Sequence, residues 1–285
     1  MSNKNLLLSF FLTLGISQFS IPTNGQVLLP YTPQLSMEQL EAQGLKMAEE
    51  ASQLVRFQQH DHALSRAKLA VQLAPQKYQP WFILGALYVM KQDLDLGIDA
   101  LKKSLDLEPK ETTIKFTLGN AYFQQGKYRL AATQLEEGLK IQPNTSSAQF
   151  DLGNTYFKLK QIKKSIAAYQ QAIYIQKDFW PAINNVGLIQ YEQENKKEAI
   201  KQWREALKIN SEQAEPKFAL GVALYSEGNK KQGIQLGENA LKLDNNYSDL
   251  KYLQENLWGE RLLRDTKVFL NDPEIKNFIS QFAKD

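Results

Sequence analysis

The side chains that could do chemistry are aromatic rings, amides and lysines set at one fixed interval, and their kinds suit holding a ligand better than converting one. Phe82, Phe116 and Phe150 stand 34 residues apart, with Phe218 two steps further on. Phe123, Phe157, Tyr191 and Tyr225 keep the same interval, as do Asn120 and Asn154. Rings offer apolar faces, and an amide offers a carbonyl acceptor and two N–H donors, so a row of each can hold the side chains and backbone of an extended segment. Lys163, Lys197 and Lys231 also fall 34 apart, each beside a second lysine, Lys164, Lys196 or Lys230. Catalytic combinations are missing. The chain has no cysteine, and its two histidines, His60 and His62, lie two residues apart. That removes a thiol nucleophile, a disulfide framework and a cysteine zinc site, and the histidine pair cannot complete a metal shell alone. No nucleophile, base and orienting group stand at a motif spacing, and Asp151 by itself makes no such site. The expectation is no enzyme activity, no cofactor, no metal and no small-molecule substrate. With 34 basic against 31 acidic residues the net charge is +3, too small for the concentrated basic face that nucleic-acid binding needs.

Side chains at a 34-residue interval require elements that repeat at that interval. Pro75, Pro109 and Pro143 mark the step, which continues through Lys177, Ser211 and Asn245. Units therefore run over 44–77, 78–111, 112–145, 146–179, 180–213 and 214–247. The eighth position of each is Ala51, Gly85, Gly119, Gly153, Gly187 or Gly221, and positions 20 and 27 are likewise Gly, Ala or Ser throughout. Small residues at fixed places predict helices that cross closely there. Between them, apolar residues follow helical spacing, as Leu118, Tyr122, Leu135 and Leu139 do in the third unit. Each unit is thus two antiparallel helices joined by a tight turn, which Gly126 and Gly228 assist. One pair cannot bury its apolar faces alone, so the pairs must stack.

The ends differ from the repeats. Lys4 followed by the apolar run 6–16 describes a secretory signal peptide or an uncleaved N-terminal anchor over residues 1–25, with a linker over 26–35. The apolar stretch is shorter than the roughly twenty residues a membrane span needs. Ser36 with Gln39 forms a capping box for an extended first helix reaching about Phe57. After the last unit, a half-repeat runs over 248–258, Gly259 breaks it, a helix follows to Leu270, and Asn271-Asp272-Pro273 opens a last helix to Ala283. This tail covers the exposed end of the stack, or else serves as a partner-binding element.

The strings LGNAYFQQGKY (118–128), DLGNTYFKL (151–159) and Trp81 followed by LGALY (84–88) resemble the tetratricopeptide repeat family, and they recur in register. The resemblance implies an all-α fold, a right-handed α-solenoid of six helical hairpins with a C-terminal helical cap at 248–285. It also implies that the first helix of each pair lines a concave groove, with positions 2, 5, 6, 9, 12 and 13 turned inward. On that basis position 5 contributes Phe82, Phe116, Phe150, Asn184 and Phe218, and position 12 contributes Phe123, Phe157, Tyr191 and Tyr225. Asn120 and Asn154 come from position 9, Asp151 and Asn185 from position 6. Aromatic stripes at helical spacing are often core instead, and that alternative stands beside the groove. The family's clamp for a partner's terminal carboxylate is not implied, because its lysine and arginine positions are not met.

The function so implied is a non-catalytic scaffold or assembly factor that binds protein or peptide segments. The alternative is a structural protein at an anionic membrane surface, held by the edge Lys163, Lys164, Lys196, Lys197, Lys230 and Lys231; the same lysines also suit solvated turns. The leader, FWPAINNVGL at 179–188 and NLWGERLL at 256–263 look like cyanobacterial tetratricopeptide proteins of photosystem and pigment-enzyme assembly, of the type that interacts with protochlorophyllide oxidoreductase. That resemblance implies a periplasmic or thylakoid-lumen setting, or membrane anchorage through the leader.

Overall fold

A computed structural model describes residues 36–282. The expected leader and linker, residues 1–35, lie outside the described residues. Among the described residues are fifteen α-helices, one 3-10 turn and no strand. Twelve of the helices pair in chain order. They are α1 (Met37–Arg56) with α2 (His60–Leu73), α3 (Tyr78–Met90) with α4 (Leu94–Leu107), and α5 (Thr112–Gln124) with α6 (Tyr128–Ile141). Then come α7 (Ser146–Lys158) with α8 (Ile162–Ile175), α9 (Trp180–Glu192) with α10 (Lys196–Ile209), and α11 (Ala214–Ser226) with α12 (Lys230–Leu243). From the second unit on, each first helix begins on the first position of its unit, at Tyr78, Thr112, Ser146, Trp180 and Ala214. Each pair packs on the next, giving a helical-hairpin solenoid. The tail consists of a 3-10 turn (Asn245–Ser248), α13 (Leu250–Glu255), α14 (Glu260–Leu270) and α15 (Pro273–Phe282). No described helix is long and apolar enough to cross a membrane.

The small residues act where the helices of one hairpin cross. A Cβ on Gly85 would stand 2.7 Å from Leu101 Cγ and 3.0 Å from the Gly97 carbonyl oxygen, and one on Gly221 would stand 2.9 Å from the Gly233 carbonyl oxygen. In the fourth and fifth units the same position instead makes room for a ring, Tyr169 over Gly153 and Trp203 under Gly187. Interiors packed at crystal density cannot absorb even one methyl at such crossings without a shift.

Every hairpin turns at the same place and in the same way. The second residue after each first helix is left-handed: Gln58 (φ 59°), Gln92 (65°), Gly126 (76°), Lys160 (59°), Glu194 (66°) and Gly228 (91°). A residue with a Cβ pays about 1–2 kcal/mol in that conformation, and only two of the six are glycine. Lys160 is exposed, so Lys160→Gly should relieve that cost without losing a packed side chain. The expected gain is about 1 kcal/mol, or a midpoint higher by roughly 2–4 °C in calorimetry. An unchanged or lower midpoint would show that the turn is not strained.

The core is distributed along the stack in clusters between neighbouring hairpins, and the cluster at the C-terminal end is the most extensive. It unites Tyr191, Trp203 and Phe218 from the last two units with Leu253, Trp258, Leu262, Phe269 and Ile275 from the tail. The tail does more than close the end. While α15 lies against α12, α14 lies across α9 and α11, the first helices of the last two units.

Candidate partner-binding face

The first helices α3, α5, α7, α9 and α11 form the face that was expected to be a groove, and the structure divides its residues into three groups. At position 5 the rings differ in burial. Phe218 is fully buried, and Phe116 lays its ring over Gly138 at position 27 of its own unit. Phe82 is half-buried against the cluster of Ile114 and Leu118. In the third unit the reason is local: Gly138 at position 27 leaves a hollow on the second helix, and the Phe116 ring fills it. Phe150 is intermediate, packed on Tyr169 (centroids 5.7 Å apart) and Phe179 (5.5 Å) while still bordering a cavity.

The second group is covered by the tail, which corrects the expectation that the groove is open along its length. Tyr191 is fully buried, and its hydroxyl donates to Asp265 Oδ2 of α14 at 2.6 Å. Tyr225 donates to Asp272 at 2.8 Å and meets Phe269 edge-on at 5.3 Å. Glu192 accepts from the backbone N–H groups of Arg261 (3.0 Å) and Leu262 (2.9 Å), so its carboxylate caps the N-terminus of α14 and balances that helix's dipole. Arg261 in turn pairs with Glu194. Gly259 passes against Glu192 with no room for a Cβ. Leu257, left-handed at φ 69°, borders a small void with Phe157, Leu188 and Ile189.

Asn184 and Asn185 are also buried, which corrects their assignment as open groove amides. Their hydrogen bonds are spent within the protein. Asn185 Nδ2 donates to Asn154 Oδ1 (3.0 Å) and Tyr169 Oη (3.3 Å), Tyr169 donates to the same Asn154 oxygen (2.6 Å), and Asn184 Nδ2 donates to Asn185 Oδ1 (3.1 Å). Buried amides are costly unless paired, and these four side chains pair one another, with Asn184 Oδ1 alone of their amide oxygens left without a partner. Asn120 accepts from Gln124 on its own helix.

The third group stays accessible. Phe123 and Phe157 are half-buried. Phe123, Phe150, Asn154 and Asn185 border a cavity of about 290 Å³ together with Trp180, Pro181, Glu215 and the tail residues Glu255, Asn256 and Leu257. It lies where the open stretch of first helices meets the tail. Trp180, Glu215 and Leu257 were not among the expected residues. Glu215 and Pro181 occupy position 2, which the family pattern turns into the groove, so that much was visible in the repeat frame; Leu257 lies outside the repeats and carried no signal.

Two carboxyls on this face carry no cationic partner among the described residues. Burial pushes Asp151 up to about 6. Burial likewise raises Glu215 to about 7, opposed by hydrogen bonds from Trp258 Nε1 (3.0 Å) and Asn184. A carboxyl whose folded value is raised favours the folded state when protonated. Its contribution is therefore complete below the unfolded value, near 3.8 for Asp151 and 4.5 for Glu215, and is lost as pH rises through about 6 for Asp151 and about 7 for Glu215. The thermal midpoint should fall between pH 5 and pH 8, and Glu215→Gln should flatten the fall. Each pKa unit of separation is worth about 1.4 kcal/mol. Identical pH profiles for the two proteins would refute the burial of that carboxyl.

The lysine edge is of mixed charge. Lys164 lies over the Tyr156 ring (5.1 Å), Lys196 over Tyr191 (5.4 Å) and Lys230 over Tyr225 (5.2 Å). Lys196 also pairs with Glu227 at 3.3 Å. Lys163, Lys164, Lys197, Lys230 and Lys231 are exposed and Lys196 is half-buried, and Glu194, Glu198 and Glu227 share the surface hollow with Lys196 and Lys197. Among the described residues no group of acidic and histidine side chains is placed to hold a metal ion.

A TPR repeat family model matches residues 119–160 and 187–228, and a tetratricopeptide repeat model matches 146–179. No curated protein matches the chain. Among solved structures, pilF of Pseudomonas aeruginosa is similar over 77% of this chain and 98% of its own, at 12% identity and a TM-score of 0.64. MamA from Desulfovibrio magneticus RS-1 is similar over 59% and 96%, at 18% identity and a TM-score of 0.55. YrrB, described as a TPR protein with an unusual peptide-binding site, is similar over 67% and 97%, at 18% identity and a TM-score of 0.50. At such identities the likeness speaks for the fold. Residues 119–179 and 187–228 thus match tetratricopeptide repeat models, and the solved structures share the helical-hairpin fold of the chain.

Proposed function

We propose that this protein is a non-catalytic scaffold or assembly factor, and that it binds a segment of a partner protein along the open stretch of first helices in units two to four. One observation carries the proposal: the same face in units five and six already holds a polypeptide, the protein's own tail. There, an apolar ring, tyrosine hydroxyls and a helix-capping carboxylate seat α14. The uncovered stretch continues with Phe123, Phe157 and the cavity beside Phe150. Ligand-recognising helical faces bind through such apolar anchors, each worth about 1.5–3 kcal/mol when filled. YrrB, which has the same fold, is described as having an unusual peptide-binding site, and that supports peptide binding as a use of the fold. The setting we propose is photosynthetic membrane-protein or pigment biogenesis outside the cytoplasm; the leader and the strings at 179–188 and 256–263 support it.

Proteins that copurify from native membranes with the full chain should be lost when Phe123→Ala is introduced, while the helical circular dichroism and melting stay as they are. Retention of the same partners by that variant would refute the groove. A role for the lysine edge at an anionic membrane rests on the exposed Lys163, Lys164, Lys197, Lys230 and Lys231, and the interleaved carboxylates weaken it. Flotation with anionic vesicles that falls with salt would separate it from the groove.

A further inference from the structure

We infer that the cavity between α7, α9 and the tail accepts a cationic side chain of the partner segment, arginine in preference to lysine. This rests on the reading of the face as a partner groove and names what the groove selects. Three rings, Phe123, Phe150 and Trp180, and two carboxylates, Glu215 and Glu255, border the cavity, and neither lysine nor arginine is among its lining residues. The surroundings hold more acceptors than donors. Glu215 receives hydrogen bonds from Trp258 and Asn184 and has no ion pair among the described residues. Asn184, fully buried behind the lining residue Asn185, has an Oδ1 without a hydrogen-bond partner. Asp151 on the same helix as Phe150 is desolvated and likewise has no ion pair among the described residues.

A desolvated carboxylate without a counter-charge is costly, and an incoming cation offsets that cost while supplying donors. The ring faces add attraction to a cation within about 6 Å of their centroids. Guanidinium fits both demands better than ammonium: it is planar, stacks on rings, loses a weaker hydration shell and carries five N–H donors. A volume of about 290 Å³ admits one long side chain and excludes a helix. An acidic segment would meet Glu215 and Glu255 there, of which only Glu255 has a cationic partner among the described residues, Lys251 at 3.9 Å.

The test is selection of random nonapeptides displayed on phage against the full chain and against its Phe123→Ala, Glu215→Gln and Glu255→Gln variants. It is followed by fluorescence anisotropy with one selected arginine peptide and its citrulline counterpart. Arginine should be enriched at one position on the unaltered chain. Citrulline in its place, or Glu215→Gln, should each weaken binding about tenfold, the size expected for one charge-assisted contact. The citrulline peptide should not respond to Glu215→Gln. Selected peptides that depend on Phe123 yet show no basic preference, or arginine peptides indifferent to both Glu215→Gln and Glu255→Gln, would overturn the cation pocket and leave the groove standing. No selection above background, or selection unaffected by Phe123→Ala, would instead overturn the groove, and the pocket with it. Circular dichroism checks each variant, and exposed Glu255 decides if Glu215→Gln does not fold.

Discussion

Phe218→Ala should destabilise the protein by about 3–5 kcal/mol, the cost of emptying a packed ring site. Phe218 is fully buried, and its ring contacts Tyr247 (centroids 6.0 Å), Trp258 (5.9 Å) and Phe269 (5.6 Å), so truncation leaves a hole that three other rings border. In calorimetry the midpoint should drop on the order of 10 °C. Phe123→Ala is the matched comparison. Phe123 also belongs to the repeat frame of first-helix aromatics, but it is half-buried, with Tyr128 as its ring neighbour at 5.4 Å, and its replacement should leave the midpoint nearly unchanged. Equal melting of Phe218→Ala and the unaltered chain would mean that the ring is not in the core.

Phe269→Ala should free the tail. This ring fills the space left by Gly237 and stands edge-on to both Phe218 and Tyr225, so it anchors α14 to the last unit. The expected loss is again about 3–5 kcal/mol. Because the units of a stack contact mainly their neighbours, the loss should fall on the tail before the earlier hairpins. Trypsin should then cut quickly at Arg261, Arg264 and Lys267 while mass spectrometry shows units one to four intact. Freed from α14, Tyr191 and Tyr225 would extend the open face by two units. Cleavage as slow as in the unaltered chain would show that Phe269 does not hold the tail.

The hairpin architecture was legible because its causes lie close together in the chain. Small residues at positions 8, 20 and 27 dictate where helices cross, and those crossings span only a dozen or so residues, as from Gly85 to Gly97. Helix starts at Tyr78, Thr112, Ser146, Trp180 and Ala214 follow from the same spacing, and the tail helices on either side of Gly259 follow from the break at that glycine. The candidate face was only half legible. Period alone makes Phe123, Phe157, Tyr191 and Tyr225 equivalent, yet Tyr191 is buried and hydrogen-bonded to the tail, Tyr225 is hydrogen-bonded to it, and Phe123 and Phe157 stay half-buried. The contacts that separate them join residues 74 positions apart for Tyr191 with Asp265 and 70 for Glu192 with Leu262. Period likewise makes Phe116 and Phe150 alike, but one ring fills the hollow over Gly138 and the other leans on Tyr169 and Phe179 beside the cavity. A repeated sequence specifies contacts between neighbours and treats every unit alike. The tail is not repeated, so where it lands, and which equivalent side chains it covers, is settled only by packing in three dimensions.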